Sequence, residues 1–149
     1  MSGGSRGIGL AIAVALAREG ARIALLAKTD QPHPRLPGTI HTAAEAIEAA
    51  GGEALAMVGD VRDDAQVEAF VAAAAERWGG VDVVVNNAGV AVSGGIDEVS
   101  VADWQWIVDI NLMGVVRGCR TFAPMLKRQG GGQIVNIASL AGLVSPPLT

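Results

Sequence analysis

The chain has 149 residues, a length typical of a single domain. Half of the residues are hydrophobic and 17 % are charged, which excludes an intrinsically disordered chain. The net charge of -4 provides no basic surface for nucleic acid, and the single cysteine excludes an internal disulfide. The sequence has neither an apolar run long enough to span a membrane nor the pattern of a signal peptide, so we expect a soluble, cytoplasmic protein.

Helix and strand patterns alternate along the first half of the chain. Residues 8–18 predict an apolar helix that is closed by Gly20, and residues 23–27 predict a short buried strand. Three prolines within residues 31–41 predict a surface loop. A Thr-Ala-Ala-Glu capping box predicts that the next helix begins at Thr42. The glycine pair Gly51-Gly52 predicts its end.

The same alternation continues in the second half. The predicted elements are a strand at 54–58, a helix capped by Asp63 and Asp64 that ends at Trp78, a strand at 81–85, a helix at 101–128 and a strand at 133–138. This order predicts an α/β fold with a doubly wound parallel sheet, Rossmann-like, in one dinucleotide-binding domain at 1–149. A helix precedes the first strand and the chain stops soon after the last strand, so we expect the sheet to be incomplete at both ends.

The incomplete sheet has a consequence for stability. In the doubly wound order the first strand is central, so its absence leaves the backbone groups of its two neighbours unpaired beside a gap. We therefore expect marginal stability and aggregation at the exposed strand edges.

A glycine-rich segment at residues 2–9 runs directly into the first helix. Gly3, Gly7 and Gly9 allow the backbone to turn sharply and approach a pyrophosphate, whose charge is favourable at a helix N-terminus. The segment is not a Walker A loop, and Ile12 occupies the third place of the common Gly-x-Gly-x-x-Gly/Ala spacing. The alternative interpretation is a glycine-rich turn that binds no ligand.

Five motifs occur in order along the chain, and together they resemble the short-chain dehydrogenase/reductase family. They are the glycine segment with Ser2 in place of threonine, Asp60-Val61, Asn86-Asn87-Ala88-Gly89, Asn111 in the long helix, and Ser139 after the last strand. The segment after residue 27 is similar to the hydroxysteroid-dehydrogenase-like branch, whereas the second half is similar to general bacterial members of the family.

This resemblance implies an oxidoreductase that interconverts a secondary alcohol and a carbonyl compound by hydride transfer with a nicotinamide cofactor. It implies that Ser139 holds the substrate oxygen and that Asn111 holds a water of the proton relay. The cofactor-binding residues that it implies are Gly3, Ser5, Arg6, Gly7, Ile8, Gly9, Lys28, Asp60, Val61, Asn86, Ala88 and Gly89. Taken without the resemblance, Ser139 is a serine that caps the next segment, and Asn111 is a tolerated polar residue or one that breaks the helix locally.

The charges beside the second strand of the family's fold favour NADP over NAD. An acidic residue at this strand end bonds the ribose of NAD, whereas a cation accommodates the 2'-phosphate of NADP. The strand ends in Lys28 and Thr29 with no acid before Asp30, and Arg6 lies in the glycine segment. NAD stays possible, because both cations could be solvated surface charges.

Other polar residues carry weaker signals. His33 and His41 have no metal ligands at suitable spacing, so we predict no metal site and place both in the loop. Cys119 is predicted to be a small buried apolar residue.

One component of the family's chemistry is absent. The family's proton donor is a tyrosine shortly after the serine, followed by a lysine, and this chain contains no tyrosine. We therefore predict little or no turnover by the chain as written. The alternative function is a catalytically inactive dinucleotide-binding or interaction module. In that case the helix at 101–128 serves assembly, because the family's equivalent helix forms half of a homo-oligomer interface, and we expect a full-length parent to be a homo-oligomer.

Overall fold

The computed structural model describes residues 1–34 and 36–144. Its helices and strands are α1 Gly7–Arg18, β1 Arg22–Ala27, α2 Ile40–Ala49, β2 Glu53–Val58, α3 Asp64–Trp78, β3 Val83–Asn86, α4 Val101–Ile107, α5 Met113–Arg128 and β4 Gln133–Asn136. A π-helical turn, Val108–Leu112, joins α4 to α5, and a short 3-10 turn, Leu140–Gly142, follows β4. No helix among these described residues is long and apolar enough to cross a membrane.

The strands form two parallel pairs. β1 pairs with β2 along its whole length, from Arg22 opposite Glu53 to Ala27 opposite Val58. β3 pairs with β4, from Val83 opposite Gln133 to Asn86 opposite Asn136. The α/β class with parallel strands is therefore confirmed, in the form of two small sheets.

The first three residues of the chain lie between the two pairs. The Leu26 N–H donates to the Met1 carbonyl at 2.9 Å, and the Gly3 N–H donates to the Leu26 carbonyl at 2.8 Å. On the other side, the Ser2 N–H donates to the Val85 carbonyl at 3.0 Å. The prediction of an empty gap between β1 and β3 is thus wrong at this end, because residues 1–3 continue the parallel hydrogen bonding across it.

Helices cover both faces of the strands. On one face, α1 and α2 bury a core that includes Ala13, Ala17, Leu25, Ile40 and Ile47. On the other face, α3 and α5 bury a second core that includes Leu26, Val67, Phe70, Val84, Phe122 and Leu126. Adjacent residues of β1 contribute to different cores because successive strand side chains point to opposite faces.

α2 begins two residues before its predicted start. Thr39 is the cap residue, and its hydroxyl accepts from the Thr42 N–H at 3.2 Å while the Thr42 hydroxyl accepts from the Thr39 N–H at 2.8 Å. Thr42 is therefore the third helical residue and not the cap. His41 consequently lies in α2, and its prediction as a loop residue is wrong. Its Nε2 lies 2.6 Å from Asp30 Oδ1.

The predicted helix at 101–128 is divided in two. α4 and α5 are separated by the π-helical turn, which includes Asn111. In contrast, α3 follows its prediction closely, because Asp63 accepts from the Gln66 N–H at the start and Gly79 adopts a left-handed φ of 82° at the end.

Candidate functional site

A cleft of about 450 Å³ opens beyond the carboxyl ends of β1, β2 and β3. Open parallel sheets bind their ligands in this position. Nine of the predicted cofactor residues line the cleft, namely Gly3, Ser5, Arg6, Ile8, Lys28, Asp60, Val61, Ala88 and Gly89. The structure therefore brings together residues from the glycine segment, from two strand ends and from the loop after β3.

The glycine turn is shaped by close backbone approach. Gly3 has a φ of 64°, and a Cβ on it would lie 2.8 Å from the Ala88 Cα. Gly9 lies behind the turn, where a Cβ would lie 2.5 Å from the Gly3 carbonyl oxygen. Gly7 has a φ of 56° and faces open space. Gly7 and Gly9 do not line the cleft, and they act by setting the path of the backbone.

Ser2 and Asn87, neither of which was predicted to have a role in the site, hold the glycine turn against the loop after β3. The Ser2 hydroxyl oxygen accepts from the Asn87 and Ala88 N–H groups, each at 3.0 Å. The Asn87 Nδ2 donates to the Ser2 and Gly3 carbonyls at 3.1 and 3.0 Å. The Asn86-Asn87 doublet at a strand end was a usable signal for this role of Asn87. Successive side chains of a strand point to opposite sides, so the two asparagines cannot both face the same neighbour.

Asn86 points away from the cleft. Its side chain is buried and its Nδ2 donates to Asn136 Oδ1 at 2.9 Å and to Cys119 Sγ at 3.6 Å. Gly118 on α5 passes so close that any Cβ would overlap the Asn86 amide. The structure thus places Asn86 where it ties β3 to β4 and α5. Cys119 is half-buried at this contact, which corrects its prediction as a buried residue.

One carboxylate at the cleft is held between two cations. Asp60 Oδ2 lies 3.1 Å from Lys28 Nζ and 2.6 Å from Arg62 Nη2. Hydrogen bonds from the Arg62 side chain, then its backbone N–H, and then Lys28 hold the pKa of Asp60 well below its usual range. Asp60 is therefore ionised throughout the neutral range. Arg62 was not predicted, because its sequence context shows nothing beyond a surface charge.

The second predicted cation, Arg6, also lines the cleft. Its Nη2 donates to the Gly38 carbonyl at 2.9 Å, which ties the glycine turn to the loop before α2. The Asp30 carboxylate is hydrogen-bonded to the side chains of His41 and Gln31. These two hydrogen bonds, that of His41 first, lower the pKa of the Asp30 carboxyl. Asp30 is not among the lining residues, so the carboxylate beside Lys28 in the cleft is that of Asp60.

The side chains of the two predicted catalytic residues bond backbone groups. In the π-helical turn, Asn111 Oδ1 accepts from the Val90 N–H and Nδ2 donates to the Val90 carbonyl, both at 2.8 Å. Ser139 is exposed and its Oγ accepts from the Ala141 N–H at 3.2 Å, as a cap of the following 3-10 turn. Neither residue lines the cleft, although Val90 does.

Comparisons with known proteins agree with this arrangement. The family model for short chain dehydrogenase matches residues 1–149. Hydroxysteroid dehydrogenase-like protein 2 from Homo sapiens is 42% identical over 99% of this chain and 34% of its own length. The chain thus spans about a third of the length of the curated relatives that it matches.

Solved structures show the same fold. A short chain dehydrogenase from Mycobacterium thermoresistibile is 46% identical with a TM-score of 0.88, over 92% of this chain and 49% of that chain. A metagenomic short-chain oxidoreductase in complex with NADP is 35% identical with a TM-score of 0.86, over 98% of this chain and 63% of that chain.

Proposed function

Because this chain belongs to the short-chain dehydrogenase family, we propose that its cleft binds NADP(H) as part of an oxidoreductase. The observation that carries the proposal is the meeting of the glycine turn, the Lys28 and Asp60 side chains and the loop after β3 in one cleft of about 450 Å³. A similar chain has been solved in complex with NADP, which supports this choice of ligand.

The start of α1 fits a pyrophosphate. α2 and α3 are capped by the Thr39 and Asp63 side chains, whereas the N-cap residue of α1, Arg6, makes no capping hydrogen bond. The first turn of α1 also contains no acidic residue. A phosphate group at this helix end gains backbone N–H donors that no side chain occupies, together with the favourable end of the helix dipole.

The charges fit the adenosine end of NADP. We assign Lys28 and Arg6 to the 2'-phosphate, because both line the cleft, and the phosphate takes the place of Asp60 as the partner of Lys28. We assign Asp60 and Val61 to the adenine, for which an ionised carboxylate is a hydrogen-bond acceptor. Asn86 serves this site indirectly by fixing the end of β3.

The proposed reaction is the interconversion of a secondary alcohol and a carbonyl compound, for which the bound cofactor supplies or accepts hydride. Ser139 holds the substrate oxygen and the turn around Asn111 positions a relay water. The two hydrogen bonds between the Asn111 side chain and the Val90 backbone give that turn a fixed geometry. The chain contains no tyrosine to exchange the alcohol proton, so we expect these 149 residues alone to bind cofactor with little or no turnover.

Removing either phosphate-binding cation tests the assignment. We expect Lys28→Ala and Arg6→Ala each to weaken NADPH binding about tenfold, since a charge-assisted hydrogen bond is lost, and to leave NADH binding within about twofold. Calorimetric titration of both cofactors measures the ratio. Arg18→Ala is the matched control, because it removes the same charge from the exposed far end of α1. Equal losses for NADPH and NADH in the two variants contradict the assignment.

A second candidate function is assembly through the α4–α5 surface. Val101, Trp104, Val108, Leu112 and Val116 recur at spacings of three and four and are exposed by 84%, 45%, 38%, 57% and 36%. Such an apolar stripe is typical of a subunit interface.

The interface hypothesis predicts the behaviour of one surface variant. We expect Leu112→Asp to shift the chain from dimer to monomer in sedimentation velocity, because a charge on the stripe opposes association. NADPH affinity stays unchanged, which separates assembly from cofactor binding. A parent chain that is monomeric at all concentrations contradicts the interface.

A further inference from the structure

Asp60, which lies just after β2, is bound more extensively by Arg62 than by Lys28. The Arg62 Nε donates to both carboxylate oxygens, at 3.1 and 3.0 Å, and its Nη2 donates to Oδ2 at 2.6 Å. The Arg62 backbone N–H donates to Oδ1 at 3.0 Å. Lys28 contacts the carboxylate through its Nζ, 3.1 Å from Oδ2, and its side chain is 59% exposed. Of the two cations, Arg62 is therefore the main partner of Asp60.

Arg62 reaches Asp60 from outside the cofactor cleft. Lys28 and Asp60 line the cleft, and Arg62 is not among the lining residues. The start of α3 fixes the backbone at this point, because the Asp60 N–H donates to Gln66 Oε1 at 2.9 Å and Gln66 Nε2 donates to Asp63 Oδ2 at 2.8 Å. Arg62 can therefore hold the carboxylate without occupying the space of a ligand.

The balance of charge in this cluster depends on Arg62. Lys28 and Arg62 together carry two positive charges, and Asp60 carries one negative charge. A 2'-phosphate that takes Lys28 as its partner leaves the Asp60 carboxylate beside a second anion. Neighbouring like charges repel unless a cation offsets one of them. The hydrogen bonds from Arg62 to Asp60 do not involve Lys28, so they can offset the carboxylate charge after Lys28 has turned to the phosphate.

We propose that Arg62 is a positioning residue that sets the preference for NADPH over NADH, because it neutralises Asp60 when Lys28 turns to the 2'-phosphate. This inference rests on the proposed NADP(H) site and adds to it a residue from outside the cleft. Without Arg62, Asp60 retains Lys28 as its partner, and the 2'-phosphate must compete for that lysine. NADH carries no 2'-phosphate, so its binding leaves the pair of Lys28 and Asp60 intact.

Arg62→Gln tests the proposal, because it removes the charge and keeps a polar side chain. In calorimetric titrations we expect NADPH to bind about tenfold more weakly and NADH to bind within about twofold of the parent chain. Arg62→Lys returns the charge and is expected to recover most of the NADPH affinity. Such a difference between two cofactors is not expected from a general loss of stability.

Arg117→Gln is the matched control for the lost charge. Arg117 Nε lies 2.8 Å from Asp64 Oδ1, so this variant also breaks a pair between an arginine and a carboxylate, and neither residue lines the cleft. We expect it to leave the ratio of the NADPH and NADH dissociation constants unchanged. A loss of NADPH preference as large as that of Arg62→Gln contradicts the role of Arg62.

A double variant separates positioning from direct contact with the phosphate. In the Asp60→Asn chain there is no carboxylate for Arg62 to neutralise. Adding Arg62→Gln to that chain is therefore expected to change the ratio of the NADPH and NADH dissociation constants by less than about twofold. If the ratio again changes about tenfold, Arg62 binds the phosphate itself, and the positioning role is overturned.

The cofactor-free chain provides a second readout. The side-chain hydrogen bonds from Arg62 are the largest cause of the lowered pKa of Asp60. NMR titration of chain labelled at its aspartate carboxyl carbons is expected to show a higher pKa of Asp60 in Arg62→Gln and an unchanged one in Arg117→Gln. An unchanged pKa of Asp60 in Arg62→Gln contradicts the pairing on which the proposal stands.

The titrations also distinguish this inference from the proposed function. If the parent chain prefers NADPH and Arg62→Gln keeps that preference, the role of Arg62 is overturned and the NADP(H) site stands. If the parent chain binds neither cofactor, or binds both equally, the assignment of the 2'-phosphate is overturned, and the role of Arg62 with it.

Discussion

Gly9→Ala is expected to weaken NADPH binding about a hundredfold and to destabilise the fold, because the new methyl group collides with the glycine turn. Its Cβ would lie 2.5 Å from the Gly3 carbonyl oxygen and 2.6 Å from Asn87 Nδ2. The first of these atoms is backbone, and the second is the amide that holds it. The turn must therefore move away from α1, and the predicted pyrophosphate site moves with it.

Helix propensity alone predicts the opposite result, which makes this variant informative. Gly9 lies inside α1, and alanine is favoured over glycine by about 1 kcal/mol at an unconstrained helical position. Thermal unfolding and NADPH titration of the variant measure both effects. Gly142→Ala is the control, because a Cβ there meets no atom within 4 Å. A Gly9→Ala chain that is stabilised and binds NADPH like its parent contradicts the close approach.

In a sample of the 149-residue chain prepared with a free amino group at Met1, the free energy of unfolding is expected to rise by about 4 kcal/mol between pH 5 and pH 8. Burial lowers the pKa of this group from 8.0 to about 5. Within that window the unfolded chain binds the proton and the folded chain does not, so stability increases with pH. Below pH 5 both states are protonated, and the cost of burying the charge is fully present.

Acetylation of the Met1 amino group isolates this contribution. The acetylated chain carries no ionisable amino terminus. Its free energy of unfolding, measured in urea, is therefore expected to rise much less between pH 5 and pH 8. His33 and His41 are present in both forms, and their contribution cancels in the comparison. The same pH dependence with and without acetylation contradicts the burial of a titrating amino group.

Features governed by local rules were predictable from the sequence. α3 has its predicted bounds because Asp63 and Gly79 act on the residues next to them. The parallel α/β class and the family followed from the order of the strands and from motifs that lie at strand ends. The cleft gathers most of the predicted residues because those strand ends meet at one edge.

Features that depend on distant contacts were not predictable. Residues 1–3 occupy a place between β1 and β3 that only the assembled strands define. The opposite directions of Asn86 and Asn87 depend on which neighbours lie on each side of β3. The π-helical turn at Asn111 follows from its two bonds to Val90, a residue 21 positions earlier in the chain. The start of α2 was misplaced because Thr39 and Thr42 are both acceptable caps, and packing of the buried Ile40 selects the earlier one.

Calorimetric titration of the 149-residue chain with NADPH tests the central claim most directly. We predict saturable binding at one site per chain, and competition by adenosine 2',5'-bisphosphate, which carries the phosphate assigned to Lys28 and Arg6 without the nicotinamide. A chain that is folded by circular dichroism but gives no saturable heat with NADPH contradicts the proposal that this cleft is a dinucleotide site.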